Sequence, residues 1–71
     1  MFPNGIQIFI GIEQSEGNGY EPIGSFITGT PEYSAALVHA RERAEELNEE
    51  FPDEGDWYAY VSDDNGNKTI L

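Results

Sequence analysis

Cysteine is absent from this chain of 71 residues, which excludes disulfide bonds and thiolate metal sites as sources of stability. Positive charge is scarce: Arg41, Arg43 and Lys68 oppose fourteen acidic residues, and the net charge is −11. No stretch is apolar enough to span a membrane, and the first residues lack the basic segment of a secretory signal. We therefore expect a single cytoplasmic domain, residues 1–71, that repels nucleic acid and anionic membranes and attracts basic partners.

The residues that usually perform catalysis are also few. The one histidine, His39, falls on the polar flank of a predicted helix, and no serine or threonine has an evident base beside it in sequence. The stretch DDNGN resembles part of a calcium loop, but Val61 occupies the position where the first acidic ligand would stand. The sequence therefore predicts no enzyme activity, no cofactor and no metal site.

Two strands are predicted in the first third of the chain. Residues 5–13 place isoleucine at every second position, which is typical of a half-buried strand. A loop containing Gly17, Asn18 and Gly19 follows, and residues 22–29 form the second strand. Strict alternation would place Ile23, Ser25 and Ile27 on one face of this strand. Gly24 and Phe26 would then lie on the other face.

A helix is predicted from Pro31 onward, with Thr30 as its N-cap and Pro52 as its stop. Its apolar stripe recurs at helical spacing along one face, and comprises Tyr33, Leu37, Ala40, Ala44, Leu47 and Phe51.

The last segment predicts a second hairpin. Asn65-Gly66 between alternating apolar residues indicates a two-residue turn. In that register Asp63 faces Lys68, Asp64 faces Asn67, and Val61 faces Ile70. The expected fold is α+β: a four-stranded antiparallel sheet, made of two hairpins in the order β-β-α-β-β, packed on one helix.

A single helix leaves one face of such a sheet uncovered. The same register points Trp57, Ala59, Val61 and Ile70 toward the helix, and we expect an aromatic patch on the opposite face, formed by Tyr58, Tyr60 and Leu71 with Phe9 and Phe26.

Half of the acidic residues lie within the twelve residues 45–56. Acids at a helix C-terminus oppose the helix dipole, and like charges four residues apart repel each other, so the pattern is locally unfavourable. A solvated helix face explains part of it, and adaptation to high salt is a further alternative. We name as the acidic ridge the carboxylates of this helix end and the loop after it: Glu42, Glu45, Glu46, Glu49, Glu50, Asp53, Glu54 and Asp56. Asp63 and Asp64 at the predicted hairpin tip would extend it.

The C-terminal stretch WYAYVSDDNGNKTIL, residues 57–71, resembles the closing hairpin of the phage uracil-DNA glycosylase inhibitors, which are acidic DNA mimics. A Trp, alternating apolar residues, an acid, Asn-Gly, Asn-Lys and Ile-Leu carry the resemblance. Length, charge and element order are similar to those of small phage inhibitors, including several anti-CRISPR proteins. The resemblance implies a non-enzymatic inhibitor encoded by a phage and acting in the host cytoplasm.

Two functions follow as hypotheses. In the first, the acidic ridge mimics nucleic acid and occupies the basic groove of a nucleic-acid-binding protein, without direct binding of nucleic acid. In the second, the chain is an interaction module whose aromatic sheet face, with Tyr58 and Tyr60, pairs with a second copy or with a host protein, and the acids serve solubility.

Overall fold

The computed structural model of the protein describes residues 5–53 and 56–71. Within them it confirms the predicted α+β fold, in which four antiparallel strands form one sheet and one helix packs on it. In chain order the elements are β1 (Gln7–Gln14), β2 (Tyr20–Ile27), α1 (Pro31–Glu50), β3 (Trp57–Ser62) and β4 (Lys68–Ile70). Across the sheet the order is β2-β1-β3-β4, so the first and third strands are central and the other two are edges.

The core lies between β1 and α1. Ile8, Ile10 and Ile12 are completely buried on the helix side of the sheet, and burying each side chain contributes roughly 1.5–3 kcal/mol. The helix meets them with small residues, since Ala40 and Ala44 are also buried. Because alanine is short, a helix that buries alanines can lie close against a sheet.

The helix begins and ends where local signals predict. The Thr30 hydroxyl accepts a hydrogen bond of 3.2 Å from the Tyr33 amide, and Pro31 is the first helical residue. Phe51 is the C-cap, with a non-helical backbone (φ −126°, ψ 64°), because a residue before proline disfavours the α conformation. Phe51 is therefore partly exposed and does not continue the apolar stripe, which ends at Leu47.

The alternation predicted for the second strand is confirmed from Gly24 to Ile27 and is wrong at Ile23, because β1 and β2 are joined through a β-bulge. Ile10 pairs with Gly24 and Gly11 pairs with Pro22, so that Ile23 is an extra residue in the ladder. Phe26 therefore packs against the core together with Ile23, and does not join the uncovered face.

The register predicted for the second hairpin is wrong by one residue. Ser62 pairs with Lys68, Val61 with Thr69 and Tyr60 with Ile70, so the connection comprises the five residues 63–67 and not two. The Asp63 carboxylate holds this loop: its Oδ1 atom accepts hydrogen bonds of 2.9 Å from the amides of Asn65 and Asn67. A side chain that binds its own turn replaces the tight turn which Asn-Gly alone would favour.

A shift of one residue moves side chains to the other face of the sheet. Ile70, expected under the helix, pairs with Tyr60 on the uncovered face and is 57% exposed. Leu71, expected on the uncovered face, packs against the core. The predicted Asp63–Lys68 pair does not form, because Lys68 binds Glu13 on β1.

Candidate partner-binding surfaces

The helical part of the acidic ridge is an exposed row of carboxylates on the outward side of α1. Glu42, Glu45 and Glu49 recur at intervals of three and four residues, directly opposite the buried alanines. Neighbours at this spacing lie about 5–6 Å apart on a helix surface. Glu46 and Glu50 are exposed beside them, so the C-terminal half of the helix presents a rigid acidic surface to solvent.

The ion pairs among the described residues leave most carboxylates of this row without a paired cation. Arg43 donates from Nε to Glu21 on β2 and from Nη1 to Glu46, both at 2.9 Å. The bond to Glu21 is the main reason that the pKa of Arg43 is raised. Lys68 binds Glu13, far from the helix in sequence. Among the described residues, the ion pairs therefore involve one member of the ridge, Glu46, and leave the others available to a partner.

The loop after the helix brings further carboxylates to the same end of the molecule. Asn48 joins the helix to β3, since its side chain donates to the Trp57 carbonyl (3.0 Å) and accepts from the Trp57 amide (2.6 Å). The Ser15 amide donates to the Asp56 carbonyl at 2.7 Å. Asp53 and Asp56 are exposed. Glu54, the remaining predicted ridge residue, lies outside the described residues.

Asp63 and Asp64 do not continue this row. They follow the far end of β3, and a strand of six residues separates its two ends by about 17 Å. Asp63 is also occupied, because its Oδ2 atom accepts from the Asn67 side chain at 3.0 Å in addition to the two amides. These bonds, from the Asn67 side chain first and then the backbone amides, lower the pKa of Asp63. Only Asp64 is a free acid at this tip.

The second predicted surface is the open face, by which we mean the sheet face that points away from α1. The strand pairing assigns to it Gln7, Phe9, Gly11, Glu13, Tyr20, Pro22, Ser25, Ile27, Tyr58, Tyr60, Ser62, Lys68 and Ile70.

At the centre of the open face the side chains bind one another. Tyr60 is only 6% exposed, and its burial, followed by a hydrogen bond with Tyr20, raises its pKa far above the ordinary value. The Lys68 ammonium lies 4.4 Å from the centre of the Tyr60 ring and 5.8 Å from that of Tyr58, within the range of cation–π attraction. Glu13 accepts from Lys68 and, at 2.7 Å, from the Tyr58 hydroxyl.

This geometry changes the second hypothesis. Tyr60 is buried and Tyr58 is half-buried, so neither ring is the freely exposed anchor that the sequence suggested. The exposed apolar side chains of this face are instead Tyr20, Ile27 and Ile70. Sequence reasoning missed them because the bulge and the register of the second hairpin decide which way these strands face.

Within residues 5–53 and 56–71, no group of three or more metal-ligating side chains is placed to hold an ion. The helix there is not apolar enough to cross a membrane.

Searches of protein-family models, of curated proteins and of solved structures found no match to this chain. The resemblance of residues 57–71 to the uracil-DNA glycosylase inhibitors therefore stays a prediction.

Proposed function

We propose that this protein is an acidic nucleic-acid mimic, which binds the basic groove of a nucleic-acid-processing protein and blocks it. The observation that carries the proposal is the row of exposed glutamates on the outward side of α1, of which only Glu46 has an ion-pair partner among the described residues. The target class is a CRISPR effector, a restriction enzyme or a DNA-repair enzyme, and the source is a phage.

The physical basis is the same as that of phosphate binding. A groove that holds a nucleic-acid backbone is lined by Lys and Arg, and both side chains pair with carboxylates as they do with phosphates. The helix supplies these carboxylates at fixed spacing, so the partner does not have to order a flexible acidic tail. Direct binding of nucleic acid is opposed by the net charge of −11.

Local energetics also support a role beyond solubility. The last turn of α1 contains no basic residue, although a cation there would interact favourably with the helix dipole. Glu45 and Glu49, four residues apart, repel each other. Lysines among these acids would give an equally hydrated surface at lower cost, and retention of an unfavourable local pattern is typical of a functional surface.

The test uses capture from a nuclease-treated bacterial lysate on the immobilised protein, with elution by increasing salt. We expect a basic nucleic-acid-binding protein, which the purified chain then displaces from labelled DNA in an anisotropy assay. Binding should weaken steeply with salt, because counterions compete for the same charges.

Two double variants distinguish the effect of where a carboxylate lies from the effect of the net charge. Glu45→Gln with Glu49→Gln removes two ridge carboxylates, whereas Glu16→Gln with Glu32→Gln removes two exposed carboxylates elsewhere, and each changes the net charge from −11 to −9. We expect the first to reduce the salt slope by about two and to weaken binding, and the second to leave the slope near that of the parent. Equal effects of the two variants, or capture of no basic protein, would reject the proposal.

A further inference from the structure

The open face is electrically neutral in a strongly charged protein. Among the residues that the structure describes, this face carries one acid, Glu13, and one cation, Lys68, and the two are paired. The twelve other described acids and both arginines lie elsewhere, and together with Glu54 they account for the whole net charge of −11. A second copy of this chain therefore meets less repulsion across this face than across the acidic surface of α1.

The same face also carries exposed apolar side chains near its margins. Tyr20 (51% exposed) and Ile27 (43%) lie on the edge strand β2, and Ile70 (57%) lies on the opposite edge strand, β4. Between them the centre is filled by Tyr60 and by the Glu13–Lys68 pair. Covering this surface would remove apolar area from water without leaving an unpaired charge.

The edges of the sheet are poorly suited to accept a further strand. Pro22 removes a backbone donor from β2, and the bulge beside it interrupts the ladder. At the other edge β4 has only three residues. A partner strand would therefore find few hydrogen bonds at either edge, and contact across the open face is favoured over strand addition.

We propose that the open face is a self-association surface, on which two copies stack sheet against sheet. The strands outline about 400 Å² on each copy, from their lengths of eight, eight, six and three residues and the usual rise and spacing. Two such faces together cover roughly 800 Å², less than the roughly 1,000 Å² that a stable interface needs, so we expect a weak and reversible dimer, with a Kd of roughly 10–500 μM.

Stacking through this face would leave both helices on the outside of the dimer. The acidic ridge of each copy would then stay accessible, on opposite sides of a helix–sheet–sheet–helix arrangement. Self-association through the open face involves none of the ridge residues and is therefore independent of binding to a basic partner.

The dimer is tested by sedimentation equilibrium at protein concentrations from roughly 10 μM to 1 mM. We expect the dimer to tighten as NaCl is raised from about 50 mM to about 500 mM, because salt screens the repulsion between two acidic copies. This dependence is opposite to that expected for the basic partner, so failure of either proposal is recognised separately.

Variants then locate the contact. Ile70→Glu and Ile27→Glu should each weaken the dimer by at least about tenfold, whereas Val38→Glu, which adds the same charge at the 56% exposed Val38 on α1, should change it little. Circular dichroism of each variant checks that the fold is intact, and Ile27→Glu serves if Ile70→Glu disturbs the short β4. A monomer at every concentration and salt, or loss of the dimer in Val38→Glu alone, overturns the proposal.

Discussion

The side chain of Tyr60 lies across Gly11 of the neighbouring strand, so closely that a Cβ atom on Gly11 would stand 2.8 Å from the Tyr60 hydroxyl oxygen and 2.9 Å from Cζ. The two residues are directly paired across β1 and β3. The ring is buried on the open face of the sheet because the residue beneath it has no side chain.

Gly11→Ala should therefore lower the free energy of unfolding by about 1–3 kcal/mol, since the ring must move out of its buried position. Urea denaturation followed by Trp57 fluorescence measures the change. In a Tyr60→Ala background the same substitution should cost less, because only the close approach to Phe9 Cε2, at 3.0 Å, remains. An equal cost in both backgrounds would place the cause in the strand itself.

The five-residue loop between β3 and β4 should depend on Asp63. Removal of its carboxylate in Asp63→Ala leaves the amides of Asn65 and Asn67 without their acceptor, so we expect faster hydrogen exchange at the Leu71 amide, which donates to the Ala59 carbonyl at 3.0 Å. Asp64→Ala is the matched control, because this neighbouring acid is exposed and has no ion pair among the described residues. Similar exchange rates in both variants would contradict the role given to Asp63.

The Glu13 pair predicts a defined dependence of stability on pH. The hydrogen bond from Lys68, and next that from Tyr58, lower the pKa of Glu13 in the folded state. A lowered carboxylate pKa stabilises the fold above the unfolded-state value, near 4.3, and this contribution disappears as the pH falls through the folded-state value. Glu13→Gln should therefore be less stable than the parent at pH 7, with a difference that shrinks from about pH 5 downward.

Urea denaturation of both proteins at a series of pH values measures that difference. Comparison with the parent cancels the general relief of self-repulsion that acid brings to a chain of charge −11. Glu16→Gln, which removes an exposed loop carboxylate, controls for the lost charge. A difference between Glu13→Gln and the parent that stays constant from pH 7 to about pH 3 would contradict the pairing.

The hydrogen bonds of the Asn48 side chain, which connect α1 to β3, should contribute strongly to the stability of the fold. Asn48→Asp keeps the acceptor for the Trp57 amide but loses the donor to the Trp57 carbonyl, and leaving that carbonyl unpaired should cost about 1–3 kcal/mol. Thermal unfolding measures the loss. Glu49→Gln, at the next position on the exposed side of the helix, should leave the midpoint nearly unchanged or raise it.

The helix end should show a conflict between stability and binding. Glu50→Lys places a cation in the last turn, where it interacts favourably with the helix dipole, so the Tm should rise by roughly 2–6 °C. The same substitution should weaken binding of a basic partner. Glu32→Lys, at the N-terminal end where acids are favoured, should lower the Tm instead. A rise in both variants would show that relief of net charge, and not the dipole, is responsible.

The helix could be predicted almost to the residue because its signals are local. Thr30 and Pro31 define its start, and Pro52 restricts the residue before it, without help from the rest of the chain. The isoleucines of β1 likewise reveal a buried face through their period of two. The helical glutamates were placed on the outward side by the same periodicity, so this part of the acidic ridge followed from the sequence.

What the sequence alone determined, then, was the kind and order of the elements and the outward position of the helical acids, because these depend on neighbours three or four residues away. The tertiary structure decided which way β2 and β4 face, and hence what the open face contains. The bulge opposite Gly11 places Phe26 in the core. The Asp63 carboxylate that binds its own loop and the Lys68 that binds Glu13 accompany the register of β4, which places Leu71 in the core and Ile70 outside it. A shift of a single residue reverses every side chain that follows, and only contacts between distant strands determine that shift.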